Sequence, residues 1–406
     1  MNGRILVTGA TGFIGARLVE ALVRRGLRVR AVTSDFRHCV RIARFPVEFV
    51  KGNLLDPPSL AKAANGCDTI FHLAYRFGGT TAEQRDANVR GTQALAEAAA
   101  TNGVRRFVHF SSIATYGPPF EGDLTEQTRR RRTNDSYTVT KRSIDDMLRE
   151  FHARRRLPVT FVQPTIVYGP FGYHWTTRLV QQAASGRVVL PGDGAGLCNA
   201  VYVDDVVTGA LLASVADRAI GEMFLISAAS PVTWRDFFGA YERMARHRAV
   251  VLMDHARIRE QRERARARTT LLFRLRHALA RRAELRDRLL ALPPQRWLIR
   301  TGEALLPAAL QGRIKTRHEQ FWKVIPPDDP PLYIPDRPAE DLYASHTRVR
   351  IEKARDLLGY EPAFDLERGM AITAAWAQWA RLVPPPAQPG DPAEPRAESQ
   401  LVSEAR

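Results

Sequence analysis

The stretch Thr8-Gly9-Ala10-Thr11-Gly12-Phe13-Ile14-Gly15 decides how this chain is read. The apolar run Ile5–Thr8 leads into it and an amphipathic pattern over Ile14–Arg25 leads out, so spaced glycines sit between a strand and a helix. Such glycines keep the turn tight, let backbone approach a pyrophosphate and let the helix pack closely on its sheet. The free N–H groups and dipole of the helix then face the anion. A glycine-rich surface loop needs none of this context, and the stretch therefore predicts a dinucleotide cradle.

Beyond the cradle the pattern repeats. Strands are predicted at Val29–Thr33, Val47–Lys51, Thr69–Leu73, Arg106–Ser111 and Val159–Gln163, with helices at Ser59–Ala64, Val89–Thr101 and Ser136–Arg154. Strict alternation of strand and helix means parallel strands with crossovers, so the expected fold is α/β, a doubly wound parallel sheet over residues 1–170. Residues 171–242 and 331–383 continue less regularly as a smaller lobe, 243–330 read as a basic helical insert, and 326–338 form a proline-dense connector. The Pro, Ala, Glu, Gln and Ser of 384–406 cannot bury a core and predict a disordered tail.

Composition narrows the classes. With 406 residues and 45% apolar content the chain is globular, with room for more than one core. Lys and Arg number 60 against 43 acids, a net +17 that suggests an acidic partner, but the excess is local: residues 256–300 hold 14 Arg, no Lys and four acids. There Leu272, Leu275 and Leu279 recur at helical spacing between arginines, the pattern of an interfacial helix on an anionic membrane. A surface helix packed on the body with its arginines in solvent explains it equally, and no nucleic-acid motif accompanies the charge. Cys39, Cys67 and Cys198 are scattered, which predicts neither a disulfide framework nor a metal site and fits a cytoplasmic setting. The expectation is a chain without signal peptide or membrane-spanning helix, either free in the cytoplasm or peripheral to a membrane.

The chemistry is predicted from two stretches. Ser111-Ser112 closes one strand, and Tyr137 and Lys141 follow four apart on a helix, hence on one face. A tyrosine of ordinary pKa, about 10, is a poor acid or base near neutrality, and a lysine ammonium beside it favours the phenolate. Ser112 would hold a substrate oxygen while Tyr137 exchanges its proton. At the tip of the second strand Asp35 suits the ribose of NAD, whereas Arg37 and Arg41 suit the extra phosphate of NADP; the balance leans to NADP. Asn53-Leu54 would meet the adenine, although Asn53 equally fits a loop-capping role.

Taken in order, Thr8–Gly15, Asn53-Leu54, Phe71–Ala74, Asn88–Thr92, Ser112, Tyr137 with Lys141, Tyr168-Gly169-Pro170, Val203–Val206 and Leu358–Pro362 resemble the extended short-chain dehydrogenases/reductases, the NAD-dependent epimerase/dehydratase family. The resemblance covers 3–242 and 343–380. It implies NAD(P) on a Rossmann sheet, held by Gly9, Thr11, Gly12, Phe13, Ile14, Arg37, Asn53, Leu54, Leu73, Ala74, Asn88, Tyr137 and Lys141. It also implies a catalytic trio of Ser112, Tyr137 and Lys141, a C-terminal lobe that selects a small-molecule substrate, and a homodimer formed through Val89–Thr101 and Ser136–Arg154.

One departure bears on the substrate. Nucleotide-sugar members usually read Arg-Pro-x-Asn before Tyr-Gly-Pro, the Asn helping to hold a diphosphate; here the stretch is Gln163-Pro164-Thr165-Ile166, and Ile166 cannot donate. This resembles the ketone reductase and hydroxysteroid dehydrogenase branches. Hydride transfer at a C–OH or C=O centre of a partly apolar substrate is expected, with a nucleotide-sugar epimerase or dehydratase as the alternative and a non-catalytic dinucleotide sensor as a third reading. Gln163, Tyr173 and Trp175 would line the pocket with Phe171 and His174, unless these aromatics pack under a loop.

Overall fold

In the computed structural model, residues 3–78, 80–155, 157–266 and 331–383 are described. Seven parallel strands form the central sheet: β1 (Arg4–Thr8), β2 (Val29–Thr33), β3 (Val47–Lys51), β4 (Cys67–His72), β5 (Arg106–Phe110), β6 (Val159–Pro164) and β7 (Met223–Ile226). Their order is β7-β6-β5-β4-β1-β2-β3. The chain leaves β1 toward β2 and β3, then returns to the other side of β1 for β4. The crevice at the strand ends between β1 and β4 is thus the switch point where such sheets take their ligands.

Burial on both faces explains the near-continuous apolar strands. In β1, Ile5 and Val7 point into one core with Leu18, Val19 and Leu22 of α1 (Phe13–Arg24), while Leu6 points into the other with Leu60 of α2 (Pro57–Ala64), Leu95 of α3 (Thr81–Thr101), and Ile144 and Leu148 of α4 (Ser136–Arg155). Helix α3 starts earlier than the apolar periodicity implies. Its first turns are polar, and the start is set by a capping box in which Thr80 and Glu83 satisfy each other's backbone N–H.

Met223–Ile226, assigned by sequence to the second lobe, pairs with β6 and belongs to the central sheet. The helix Val203–Val215 packs on that sheet with α1, and Glu352–Leu358 joins the same core. A boundary at residue 170 therefore divides the chain too early. The second lobe is a three-stranded parallel sheet, Arg187–Pro191 between Val250–Met253 and Leu332–Tyr333, covered by Trp234–Ala245. Residues 243–266, assigned to the basic insert, supply one of these strands and helical residues 255–266, from which Arg262 donates to Pro335 O at 3.2 Å and pairs with Glu340. The rest of the insert, the leucine–arginine pattern of 272–292 and the tail 384–406 lie outside the described residues. Among the described residues no helix is long and apolar enough to cross a membrane.

Two acids of the Val203–Val206 motif join the pieces. Arg17 of α1 donates from Nε and Nη2 to the Asp204 carboxylate at 2.8 and 2.7 Å. Buried Asp205 accepts from the backbone N–H of Ala363 and Phe364 at 2.8 and 3.1 Å, anchoring the chain just after Leu358–Pro362. Cys39, Cys67 and Cys198 are unpaired and buried.

Candidate active site

The cradle is built as its glycines require. Gly9 has φ +67°, and a Cβ there would stand 2.8 Å from the Ala74 nitrogen; a Cβ on Gly15 would stand 2.1 Å from the Gly9 carbonyl oxygen. Strand β1 thus turns hard against the end of β4, and α1 starts directly above the turn. No side chain caps this helix: Gly12 is its N-cap, so the N–H groups of the first turn are left for an anion. Thr11, Phe13 and Ile14 flank them, half-exposed. A dinucleotide pyrophosphate fits this arrangement.

The floor of the crevice is polar but internally satisfied. Thr8 Oγ1 lies 2.7 Å from His72 Nδ1 and accepts from the Ala74 N–H at 3.2 Å, and His72 Nε2 lies 2.8 Å from Thr92 Oγ1. Burial, with the charge of Lys141 adding to it, drives His72 down to about 3, so this imidazole is neutral. Asn88 is also buried: its Oδ1 accepts from the Arg76 N–H at 2.7 Å and its Nδ2 donates to the carbonyls of Arg76 and Gln84. Its amide is spent on fixing the loop that carries Leu73, Ala74 and Tyr75 along the crevice.

Helix α4 delivers the reactive groups to the end of β5. Lys141 is 5% exposed and donates from Nζ to the Phe110 carbonyl at 2.7 Å. Tyr137, one turn earlier, is pushed up to about 12 by burial, against which the hydroxyl of Ser112 acts by hydrogen bonding. Ser112 itself accepts from the Ala114 N–H at 3.1 Å, which holds its side chain at the strand end. The three residues expected to act together are therefore gathered at one strand terminus. Tyr75 joins them, although the sequence reading stopped at Ala74: its ring meets Tyr137 edge-on at 5.1 Å and lies 5.1 Å from Lys141 Nζ. Phe77 extends this wall, its ring nearly parallel to that of Tyr137 at 6.3 Å.

Other expected contacts are placed differently. Gln163 is fully buried; its Oε1 accepts from the Tyr116 hydroxyl at 2.8 Å and its Nε2 donates to Thr115 Oγ1 at 3.0 Å, so both ends of the amide are engaged within the core. Trp175 packs on Trp234 with ring centres 5.7 Å apart and accepts the Tyr241 hydroxyl on its carbonyl, a core role. Tyr173 stays 62% exposed beside His174. Asn53 Oδ1 accepts from the Leu55 N–H at 3.1 Å, the loop-capping alternative, while Leu54 packs in the core against Gly91. Arg37 folds onto Asp35 through Nε and Nη2, so the acid and the base proposed for the adenosine end neutralise each other. Arg41 reaches Gly12 O at 3.5 Å and covers the ring of Phe171 at 4.1 Å; Phe171 has φ +69° and also touches Trp376.

Comparison with known proteins agrees with this geometry. The 2-alkyl-3-oxoalkanoate reductase of Stenotrophomonas maltophilia is 29% identical over 245 residues, 57% of this chain and 73% of that protein. The 3 beta-hydroxysteroid dehydrogenase/Delta 5-->4-isomerase of Mycobacterium tuberculosis is 32% identical over 251 residues, 58% of this chain and 67% of that protein. Among solved structures, DesIV, a dTDP-glucose 4,6-dehydratase from Streptomyces venezuelae with NAD bound, superposes with a TM-score of 0.63 at 22% identity, covering 93% of this chain and 98% of that one. Residues 5–227, more than half of the chain, match the family profile itself. With the uncapped helix above its glycine turn and the Ser112, Tyr137 and Lys141 cluster beside it, the chain belongs to the NAD dependent epimerase/dehydratase family.

Proposed function

We propose that this protein is an NAD(P)-dependent oxidoreductase acting at the C–OH or C=O centre of a small, partly apolar substrate. The observation that carries the proposal is the convergence of Ser112, Tyr137 and Lys141 on the end of β5, next to the switch-point crevice. When bound, NAD(P) supplies the hydride acceptor or donor. Ser112 holds the substrate oxygen, Tyr137 gives a proton to that oxygen or takes one from it, and Lys141, pinned on the Phe110 carbonyl, supplies the positive charge that lets the phenol part with its proton.

The surroundings favour an apolar body over a nucleotide diphosphate. Ile166 is 8% exposed and sunk in the aromatic lobe, and Gln163 is sealed inside, so neither position offers a donor. Phe77, 67% exposed, and Tyr173 present rings instead. The reductase and hydroxysteroid dehydrogenase names among the relatives lend support; the likeness to a dTDP-glucose dehydratase keeps a nucleotide sugar as the alternative. For the cofactor we favour NADP, because Arg37 already neutralises Asp35 and Arg41 stands close to the cradle. Helices α3 and α4 pack side by side and offer the surface for a homodimer.

Purified protein with NADPH or NADH, offered a panel of cyclic and β-keto ketones, should oxidise the reduced cofactor, and more readily NADPH; dTDP-glucose is offered separately with NAD+ and its conversion followed by product analysis. Tyr137→Phe should lose this turnover and still bind cofactor. Turnover of dTDP-glucose alone would reassign the substrate, and an undiminished Tyr137→Phe would overturn the chemistry.

A further inference from the structure

The turn after Tyr168 carries a side chain that its backbone does not favour. The Gly172 N–H donates to the Gly169 carbonyl at 3.0 Å, closing four residues with Pro170 second and Phe171 third. In such a turn a positive φ at the third position is ordinarily left to glycine. Phe171 stands there at φ +69°, in the left-handed region that a Cβ disfavours. The turn is nonetheless firmly built: Thr176 Oγ1 accepts from the Gly169 N–H at 3.0 Å, and a Cβ on Gly172 would stand 3.0 Å from the ring of Phe13 in the cradle. A strained residue that its surroundings hold this closely points to a use.

The ring of Phe171 lies under Arg41, whose guanidinium carbon is 4.1 Å from the ring centre, and Trp376 of the helix Leu366–Trp379 stands 5.1 Å from it. Arg41 closes the 3₁₀ turn Phe36–Arg41 after β2, so Phe171 joins the cofactor-binding sheet to the C-terminal helix. Stacking uses the face of a guanidinium and leaves its N–H donors free in the plane. Of these, Arg41 commits only Nη1, at 3.5 Å, to the carbonyl of Gly12, the N-cap of α1. It has no carboxylate partner among the described residues; Glu20, whose charge reaches it, is already paired with Arg17 and Arg24 at 2.5 and 2.7 Å. Burial, and then the like charge of Arg17, pulls Arg41 down to about 10. An uncompensated cation beside an uncapped helix start is complementary to an anion.

We propose that Phe171 is a positioning residue that aims Arg41 at a phosphate of the dinucleotide. The proposal rests on the reading of the cradle as a dinucleotide site. Stacked beneath the guanidinium, the ring keeps it from folding out to solvent, and Trp376 braces the ring. The second lobe thereby takes part in holding the cofactor, through a contact that a glycine in the third turn position would lack. Two phosphates could receive the free donors: the pyrophosphate at the first turn of α1, or the adenosine phosphate of NADP at the end of β2. Arg41 comes from the segment after β2 and touches the start of α1, which serves either.

Cofactor affinity can be read without a substrate, by fluorescence titration of the intact chain with NADPH and with NADH. Phe171→Gly, which suits the turn, should weaken NADPH binding about fivefold, the worth of a stacked cation. Phe171→Tyr keeps the ring and should stay within about twofold of wild type. Arg41→Gln should lose at least as much as Phe171→Gly, and the two changes together no more than Arg41→Gln alone, since the ring acts through the guanidinium. A loss shared by NADH supports the pyrophosphate as the target, and one confined to NADPH supports the adenosine phosphate. Wild-type affinity in Phe171→Gly would overturn the proposal. So would losses that multiply in the double variant, or a loss in Phe171→Tyr equal to that in Phe171→Gly. Should Phe171→Gly fail to fold, Phe171→Asn, also at home at positive φ, replaces it. A wild type that binds neither cofactor would remove the dinucleotide reading itself.

Discussion

Around Lys141 the first lobe buries a carboxylate, two imidazoles and an ammonium within one packed layer, whereas around Trp234 the second lobe buries rings: Phe237, Phe238, Tyr241 and Tyr343. The polar layer is held by directional bonds of 2.7–2.8 Å running from Thr8 through His72 to Thr92, and from Ser111 to Asp145. The aromatic lobe is held by area and ring contacts. Fixed geometry thus belongs to the lobe where the proposed chemistry would move a proton, and bulk belongs to the lobe that would accommodate an apolar body. Such rings are worth several kcal/mol each but specify little by themselves.

The contrast can be broken experimentally, from the largest effect to the smallest. Tyr137→Phe should lower turnover by about a thousandfold in steady-state assays while cofactor affinity, read by fluorescence titration, stays the same. Trp234→Ala, at a position with no exposure and an indole N–H donated to the Leu342 carbonyl at 3.0 Å, should lower unfolding free energy by about 4 kcal/mol in chemical denaturation. The polar layer should instead reveal itself through pH. His72 and His109 are held neutral in the fold, first by burial, but would titrate near their ordinary value of about 6.5 when unfolded. Their stabilisation is whole above that pH and is lost as the pH falls toward the folded value, at about 1.4 kcal/mol per pH unit for each ring. Denaturation midpoints at a series of pH values should show this slope, and His109→Phe, which preserves a ring against Phe161, should flatten it. Asp205→Ala should cost about 2 kcal/mol by releasing the Ala363 and Phe364 N–H groups, measurable by the same denaturation.

The sheet was legible because its strands are buried on both faces: every strand read from β1 to β6 appears, with ends differing by a residue or two. Strand β7 escaped because Met223-Phe224-Leu225-Ile226 is a four-residue apolar run without period, told from a buried helix only by its partner β6. The trio was legible because a helix face fixes Tyr137 and Lys141 at a spacing of four. The same spacing reaches Asp145, a signal present in the sequence but silent until β5 was seen against it. Gln163 failed for the opposite reason. Nothing in a glutamine tells that its two ends are taken by Tyr116 and Thr115, each far away in the chain. For Trp175 and Asn53 the sequence left a structural role open beside the functional one, and the contacts seen are of the structural kind: Trp175 packs on Trp234 and Asn53 accepts from the Leu55 N–H.

Val250–Met253 and Leu332–Tyr333 flank a single strand, and the helix that follows the former still touches Pro335 and Glu340 through Arg262. The polypeptide departs after one outer strand of this sheet and resumes in the other, and Arg262 already ties the two passages together. An enzyme with such a seam can lengthen, shorten or exchange what lies between 266 and 331 over evolutionary time without disturbing its catalytic sheet. The most arginine-rich passage of the sequence falls largely between those two positions.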